Sequence, residues 1–372
     1  MSSPNKNILI LTPFFSPNIG GVETHLDDLV FGLDQSGYKV FVHTYSPLTT
    51  DTKYKSSERG GNNISIRRYR WFGKNIFHKL EKYPFIDFIY LAPYLFLRTF
   101  LWLTFNHRKI DVIHSQGLNA AWMGTVFKKI FGKKLIVSLH AVYEIDKNTK
   151  TARRIAKILS RADHVLTLSE ASREELLSFG VPENKMSVFR YWINLDIFQP
   201  SKIDHEKFTV LFVGRMIRKK GVRVLAEVAK FLPEVYFLFV GTGPEEEYLE
   251  KLAGDHKNIK MIGPVSNSDL SKYYNSADVL CAPSLYEEGY GRVVMEAVAC
   301  GLPVIASDLG GLKEALDESV AVLIDPTVEN IRNAIEKLKN NPDLYKKLQS
   351  NCRPFAEKSF PEKNIEAIIR HY

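Results

Sequence analysis

Ser284-Leu285-Tyr286-Glu287-Glu288-Gly289-Tyr290-Gly291-Arg292-Val293-Val294-Met295-Glu296 sets two carboxylates, Glu288 and Glu296, on either side of a glycine-rich turn. Just before it, Ala277 to Pro283 reads as a short buried strand stopped by a breaker, and Arg292 to Ala299 reads as the helix that follows. Glu288 therefore falls on the loop at the carboxyl end of a strand, and Glu296 lies in the first turns of the next helix. In open α/β sheets that edge is where ligands bind, and a helix N-terminus offers unpaired N–H groups to an anion. Taken alone, the pair fits equally well one solvated loop carboxylate and one on a helix surface.

The same strand-then-helix alternation runs through the whole chain, the pattern of parallel sheets with crossover helices. Asn7 to Leu11, Lys39 to Thr44, Ile64 to Arg68, Val112 to His114, Lys134 to Leu139, Val165 to Leu168 and Met186 to Phe189 read as strands of a first domain. Phe208 to Val213, Val235 to Val240, Ile259 to Ile262, Val279 to Ala282, Val304 to Ala306 and Ala321 to Leu323 read as strands of a second, after a polar linker at Asp196 to Asp204. At 372 residues the chain is long enough for two such domains, each with its own core. The fold class is α/β.

Several loops after strands carry residues suited to a phosphate. Gly20-Gly21 follows the first strand and opens an amphipathic run to Leu33; Gly310-Gly311 does the same in the second domain. Without Cβ atoms the backbone approaches an anion closely, although an ordinary loop needing positive φ at one glycine reads the same way. Gly241-Thr242-Gly243 lacks the third glycine of a dinucleotide fingerprint and fits a tight turn. Arg215 closes one strand and Lys220 precedes a helix, a cation pair able to neutralise a diphosphate; Arg218 and Lys219 fit solvated loop charges. His140 closes the strand Leu135 to Leu139, where a structural histidine is as ordinary as a functional one. No Asp-x-Asp metal triplet is present, Glu144-Ile145-Asp146 being the nearest approach, so no metal is expected.

The Glu288 to Glu296 segment, continued through Ala297 to Gly311, resembles the Glu-x7-Glu region of retaining glycosyltransferases of family 4, which have the GT-B fold. Asn18-Ile19-Gly20-Gly21-Val22-Glu23, Ser138-Leu139-His140, Gly214-Arg215 with Lys219-Lys220-Gly221, and Gly241-Thr242-Gly243-Pro244 agree with it in family order. The resemblance implies two Rossmann-like domains facing a cleft: an acceptor-binding domain at 1–195, a nucleotide-sugar domain at 205–355, and a C-terminal segment at 356–372, with a helix at Pro361 to His371, crossing back to the first. It implies transfer of a hexosyl or N-acetylhexosaminyl group from a nucleoside diphosphate donor with no cofactor. Donor contacts would come from Gly20, Gly21, Arg215, Lys220, Glu288, Gly289, Tyr290, Gly291, Glu296, Gly310 and Gly311. Arg215 and Lys220 would stabilise the leaving diphosphate, His140 would meet the sugar near the reacting carbon, Glu288 would hold sugar hydroxyls and Glu296 the ribose. The family lacks an agreed protein nucleophile, and front-face attack with retention is the implied course. Tyr191-Trp192-Ile193-Asn194, leading to Phe198-Gln199-Pro200, is bulkier than the family's usual Asn-Gly and marks a departure at the hinge side. A nucleotide-sugar epimerase on the same architecture, or a non-catalytic sugar-nucleotide binding module, is the alternative reading.

Bulk properties add a place. Lys53 to Arg161 holds 22 Lys and Arg against six Asp and Glu, a balance of +16 in a chain of net +8, so the remainder carries −8. Such asymmetry points to a polyanionic surface, and no nucleic-acid motif accompanies it. The basic region instead surrounds Phe85 to Phe105, the most apolar run. A span there would separate strands of one domain across the membrane, which leaves an internal crossover helix or an interfacial helix. With Arg67, Arg68, Arg70, Lys74, Lys79 and Lys82 before it and Arg108 and Lys109 after it, the interfacial reading is the expectation. Phe85, Arg98, Trp102 and Phe105 would face an anionic membrane and a lipid-linked or glycan acceptor. The first apolar strand is too short for a signal-peptide core, and Cys281, Cys300 and Cys352 are odd in number and widely spaced, which suits a cytoplasmic protein, peripheral on the inner face of the membrane.

Overall fold

The computed structural model describes residues 6–18, 20–48, 52–73, 76, 84–201, 203 and 205–372, and the side chains at 84, 85 and 268 lie outside the description. The chain divides into two compact units, Met1–Arg190 with Asn364–Tyr372, and Tyr191–Lys363.

The first unit is built on β1 (Asn7–Leu11), β2 (Lys39–Tyr45), β3 (Ser57–Gly60), β4 (Ile64–Tyr69), β5 (Val112–Gln116), β6 (Lys134–Leu139), β7 (His164–Thr167) and β8 (Met186–Val188). They lie in the order β3-β4-β2-β1-β5-β6-β7-β8, parallel except for β3 on β4. The second unit holds β9 (Thr209–Val213), β10 (Tyr236–Val240), β11 (Ile259–Gly263), β12 (Val279–Ala282), β13 (Val304–Ser307) and β14 (Ala321–Ile324), in the parallel order β11-β10-β9-β12-β13-β14. The central strands are apolar along their whole length, Asn-Ile-Leu-Ile-Leu in β1 and Thr-Val-Leu-Phe-Val in β9, because helices cover both faces of a parallel sheet. In each unit the order reverses beside the first strand, between β1 and β5 and between β9 and β12. Such a switch opens a crevice at the carboxyl ends of the strands.

Three features differ from the sequence expectation. β3 is Ser-Glu-Arg-Gly, an antiparallel edge strand whose polar residues give no alternating signal. The segment expected as a linker begins inside the second unit. Phe198 is buried edge-on to Tyr274, and Arg353 Nη1 donates to the carbonyls of Leu195 (3.1 Å) and Phe198 (2.8 Å). The bulky Tyr191, Trp192 and Ile193 are buried too, so this stretch is core rather than tether. At the other end, short turns at Glu362–Ile365 and Glu366–Ile369 replace one long helix, and Tyr372 docks its hydroxyl on His114 Nδ1 at 2.7 Å.

Candidate active site

At the switch between β9 and β12, backbone approach assembles the charges. The turn Arg218–Lys220 ends at Gly221, φ 69°, where a Cβ would fall 1.8 Å from the Pro283 carbonyl oxygen. Only glycine lets this turn lie against the end of β12. Leu285 N–H then donates to the Lys219 carbonyl at 2.7 Å, and Lys220 Nζ reaches Glu288 Oε2 at 2.5 Å. Ser284 Oγ donates to the other oxygen of Glu288, which is 7 % exposed. Burial opposes the Lys220 charge, but the Glu288 carboxylate and Tyr286 outweigh it and hold the ammonium above its ordinary pKa, with Arg215 pushing the other way. The pair is thus ionised at neutral pH. Arg215 lies exposed at the same edge, while Arg218 and Arg223 are drawn away to buried Glu245.

The glycines after β13 hold the Glu288 loop in place. A Cβ on Gly311 would sit 1.9 Å from the Gly289 carbonyl oxygen, and Gly311 N–H donates to the Glu288 carbonyl at 2.9 Å. Gly310-Gly311 therefore acts on backbone packing, whatever it does for a ligand. Gly289 and Gly291 flank Tyr290, whose buried ring points inward, edge-on to Tyr191 and Phe360, and Gly291 caps the helix Arg292–Ala299. On that helix Glu296 is 2 % exposed and accepts from Tyr274 Oη at 2.8 Å and Arg292 Nε at 2.9 Å. Burial, reinforced by Glu296, keeps the Tyr274 hydroxyl protonated. Neither Tyr274 nor Arg292 is shared with the Lys220–Glu288 pair, a separation that spacing along the sequence does not reveal.

In the first unit the switch lies between β1 and β5. Gly20 has φ 177°, extended backbone open to any residue, so the expectation of a positive φ does not hold there. The pair opens the helix Gly21–Gln35, whose N-terminus has no side-chain cap. His140, at the end of β6, sets Nε2 2.8 Å from Gln116 Oε1 at the end of β5; its ring lies 5.6 Å from His25 and edge-on to Phe189 at 6.0 Å. Burial lowers the His140 pKa to about 4, so the imidazole is neutral, and with Nε2–H donating to Gln116 the lone pair sits on Nδ1. Sequence reading missed Gln116; its place at the end of a switch-point strand was the available signal.

Both halves of the chain have counterparts among known proteins. The family described as "Glycosyl transferases group 1" matches residues 194–355, and "Glycosyltransferase Family 4" matches residues 19–197. The chain belongs to these glycosyltransferases. A human relative, the GlcNAc-transferring component of phosphatidylinositol N-acetylglucosaminyltransferase, is 23% identical over 343 residues, 89% of this chain and 68% of the relative. Among solved structures, sucrose-phosphate synthase from Thermosynechococcus elongatus superposes with a TM-score of 0.79 at 22% identity, covering 98% of this chain and 97% of that one. Anabaena HepE in complex with UDP and glucose gives 0.76 at 20% identity, with 98% of each chain covered. The fold is GT-B.

The glycosyltransferase carries its long apolar helix at Pro84–Asn106. Length and composition would let Ile86–Lys109 cross a membrane. Tyr90, Leu91, Leu95, Thr99 and Leu103, however, are buried in the first unit. Spanning would strip that face from its core. The Tyr45 hydroxyl bridges the helix near Pro93, accepting from Leu95 N at 2.9 Å and donating to the Leu91 carbonyl at 2.7 Å, which satisfies backbone groups next to the proline. The opposite face leaves Ile86, Ile89, Leu97, Leu101 and Phe105 exposed, Phe105 at 86 %. Trp102, expected beside Phe105, instead packs on β2, its ring 4.5 Å from His43 and 5.4 Å from Phe41. Arg98 lies over the Tyr69 ring at 5.0 Å. The side chain of Phe85, and Lys74, Lys79 and Lys82, lie outside the described residues.

Proposed function

We propose that this glycosyltransferase retains the anomeric configuration, needs no divalent metal, and moves a sugar from a nucleoside diphosphate to a lipid-linked acceptor at the cytoplasmic membrane face. The observation that carries the reading is the Lys220–Glu288 pair, set with Arg215 at the β9/β12 switch. Glycosyl transfer breaks the bond between C1 and the diphosphate oxygen, so negative charge grows on that oxygen. Fixed cations there stabilise the transition state more than the ground state. The acceptor oxygen bonds to C1 on the same face as the departing diphosphate, which takes the acceptor proton.

Glu288, neutralised by Lys220 and oriented by Ser284, accepts from sugar hydroxyls. Glu296 contacts the ribose only by exchanging a bond to Tyr274 or Arg292, so it holds the loop-bearing helix in either case. Gly20, Gly21, Gly310 and Gly311 line the donor's phosphates through open backbone, and neutral His140 offers hydrogen bonding to the sugar without adding charge. UDP in the HepE complex makes a uridine donor the first to try, and the activity for which the human relative is named makes a phospholipid acceptor with a polyol ring the first to try. The exposed stripe of the helix Pro84–Asn106, with the +16 balance around it, supports placement on an anionic surface.

The test is consumption of a panel of nucleotide sugars with and without membrane-lipid extract. Consumption that depends on extract and yields a glycolipid with the donor's anomeric configuration supports the proposal. Conversion without acceptor identifies an epimerase, and an inverted product removes the retaining assignment.

A further inference from the structure

At the end of β4 the first unit contains a cavity of about 380 Å³ lined by Arg70, Trp71, Phe72 and Tyr94. That volume lies at the small end of the range for small-molecule sites, about 300–1,000 Å³. Its aromatic wall is fixed before any guest arrives. Trp71 stacks on Tyr94 at 4.7 Å and 13°, and Tyr45 stacks on Trp71 at 5.5 Å and 16°. The Tyr45 hydroxyl is in turn tied to the helix through Leu91 and Leu95, and the Tyr90 hydroxyl ties down the loop by donating to the Phe72 carbonyl at 2.6 Å. Phe72 leans on Trp71 at 4.4 Å and stays largely exposed, as does Arg70.

The surrounding charge is positive. Exposed Arg67 and Arg98 lie along the same face, over the rings of Trp102 and Tyr69. Of the carboxylates in this part of the unit, Glu58 is paired with Arg68 at 2.7 Å and Asp87 accepts from Asn119 at 3.1 Å. An acyl chain has no use for the guanidinium, and a bare phosphate has no use for stacked rings. A polyol ring esterified to phosphate uses both, its C–H face on the aromatics and its anion on Arg70. Tyr94 adjoins Pro93, and the exposed stripe continues from there through Leu97, Leu101 and Phe105 on the same helix.

We infer that the Arg70-Trp71-Phe72-Tyr94 cavity binds the phosphorylated ring headgroup of a membrane lipid whose chains lie against that stripe. The inference rests on the lipid-acceptor reading above and names the part of the first unit that selects the acceptor. No donor is needed to test it, so its failure leaves the turnover assay standing.

The experiment is flotation of the full chain with phosphatidylcholine vesicles doped, at equal mole fraction, with phosphatidylinositol or phosphatidylglycerol, which carry equal charge. Binding to the inositol vesicles should be about tenfold tighter or more. Arg70→Ala and Phe72→Ala, both exposed changes, should each erase that preference while leaving the phosphatidylglycerol level in place. Leu101→Ser should weaken both vesicles and leave calorimetric binding of soluble glycerophosphoinositol unchanged. Equal binding to the two vesicles, or a preference that survives both cavity variants, overturns the proposal. Tight glycerophosphoinositol binding with no vesicle preference makes the guest a free sugar phosphate and overturns the lipid source.

Discussion

The two sheets of this glycosyltransferase reverse their strand order beside their first strand, yet they place opposite chemistry at the reversal. Between β9 and β12 stand Arg215, Lys220 and Glu288, a charged set held by glycine contacts at Gly221 and Gly311. Around β1, β5 and β6 stand Gly20-Gly21, Gln116 and a neutral His140. The topology fixes where a ligand sits, and the side chains there fix what it is. A diphosphate that departs with growing charge belongs at the charged edge; a sugar or acceptor hydroxyl suits the neutral one.

The sharpest way to break this contrast is to discharge the second edge. Lys220→Ala, or Arg215→Ala, should lose on the order of 100-fold or more in turnover, comparable to deleting a preorganised charge-stabilising donor. Single-turnover rates check this without interference from product release. Gly311→Val should cost comparable activity through the backbone alone, since its Cβ would overlap the Gly289 carbonyl. Activity near wild type in that variant would show that the Glu288 loop tolerates displacement.

The two glutamates should separate by readout. Glu288→Gln should lower kcat, with little change in stability. Glu296→Ala leaves buried Arg292 and Tyr274 without their shared carboxylate, so it should cost about 3 kcal/mol or more of folding free energy and weaken nucleotide binding. Thermal melts and nucleotide titration distinguish the two variants.

Acid should find the first unit first. Burial lowers the pKa of His43 and His114 to about 3 and of His140 and His371 to about 4, with neighbouring positive or imidazole groups adding to the shift in all but His140. Each therefore gives its stabilisation in full above about pH 6.5 and loses it as the unfolded state takes up protons below that. Hydrogen exchange at pH 7 and pH 5 should show protection falling in β1, β5 and β6 before β9 and β12. The smallest effect is at the membrane, where Leu101→Ser with Phe105→Ser should reduce vesicle binding severalfold with no change in donor turnover on a soluble acceptor. Unchanged vesicle binding would mean that the exposed stripe does not meet lipid.

Much of this was legible in the sequence where one local pattern decides. All strands with apolar runs were found, because a parallel strand buried on both faces leaves no polar positions to confuse its ends; β3, polar and antiparallel, left no such trace. Glu288, Arg215 and Lys220 were readable from their places after strands. Their pairing was not, since it depends on Gly221 meeting Pro283 and Gly311 meeting Gly289 across long sequence separations. Glu296 reads as a ligand residue from its spacing, and only the fold reveals Tyr274, 22 positions away, as its partner. Trp102 and Phe105 looked alike as apolar neighbours, and three residues of helix turn them to different faces.

The central claim is that fixed side-chain cations do the work of charge neutralisation at the diphosphate. Transfer from the active nucleotide sugar, measured in EDTA for the wild-type chain and for Lys220→Ala, tests it most directly. Full wild-type rate in EDTA with a loss of about 100-fold or more in the variant is the expected result. Loss of wild-type activity in EDTA, restored by magnesium or manganese and matched by a Lys220→Ala enzyme of near-normal rate, would contradict it.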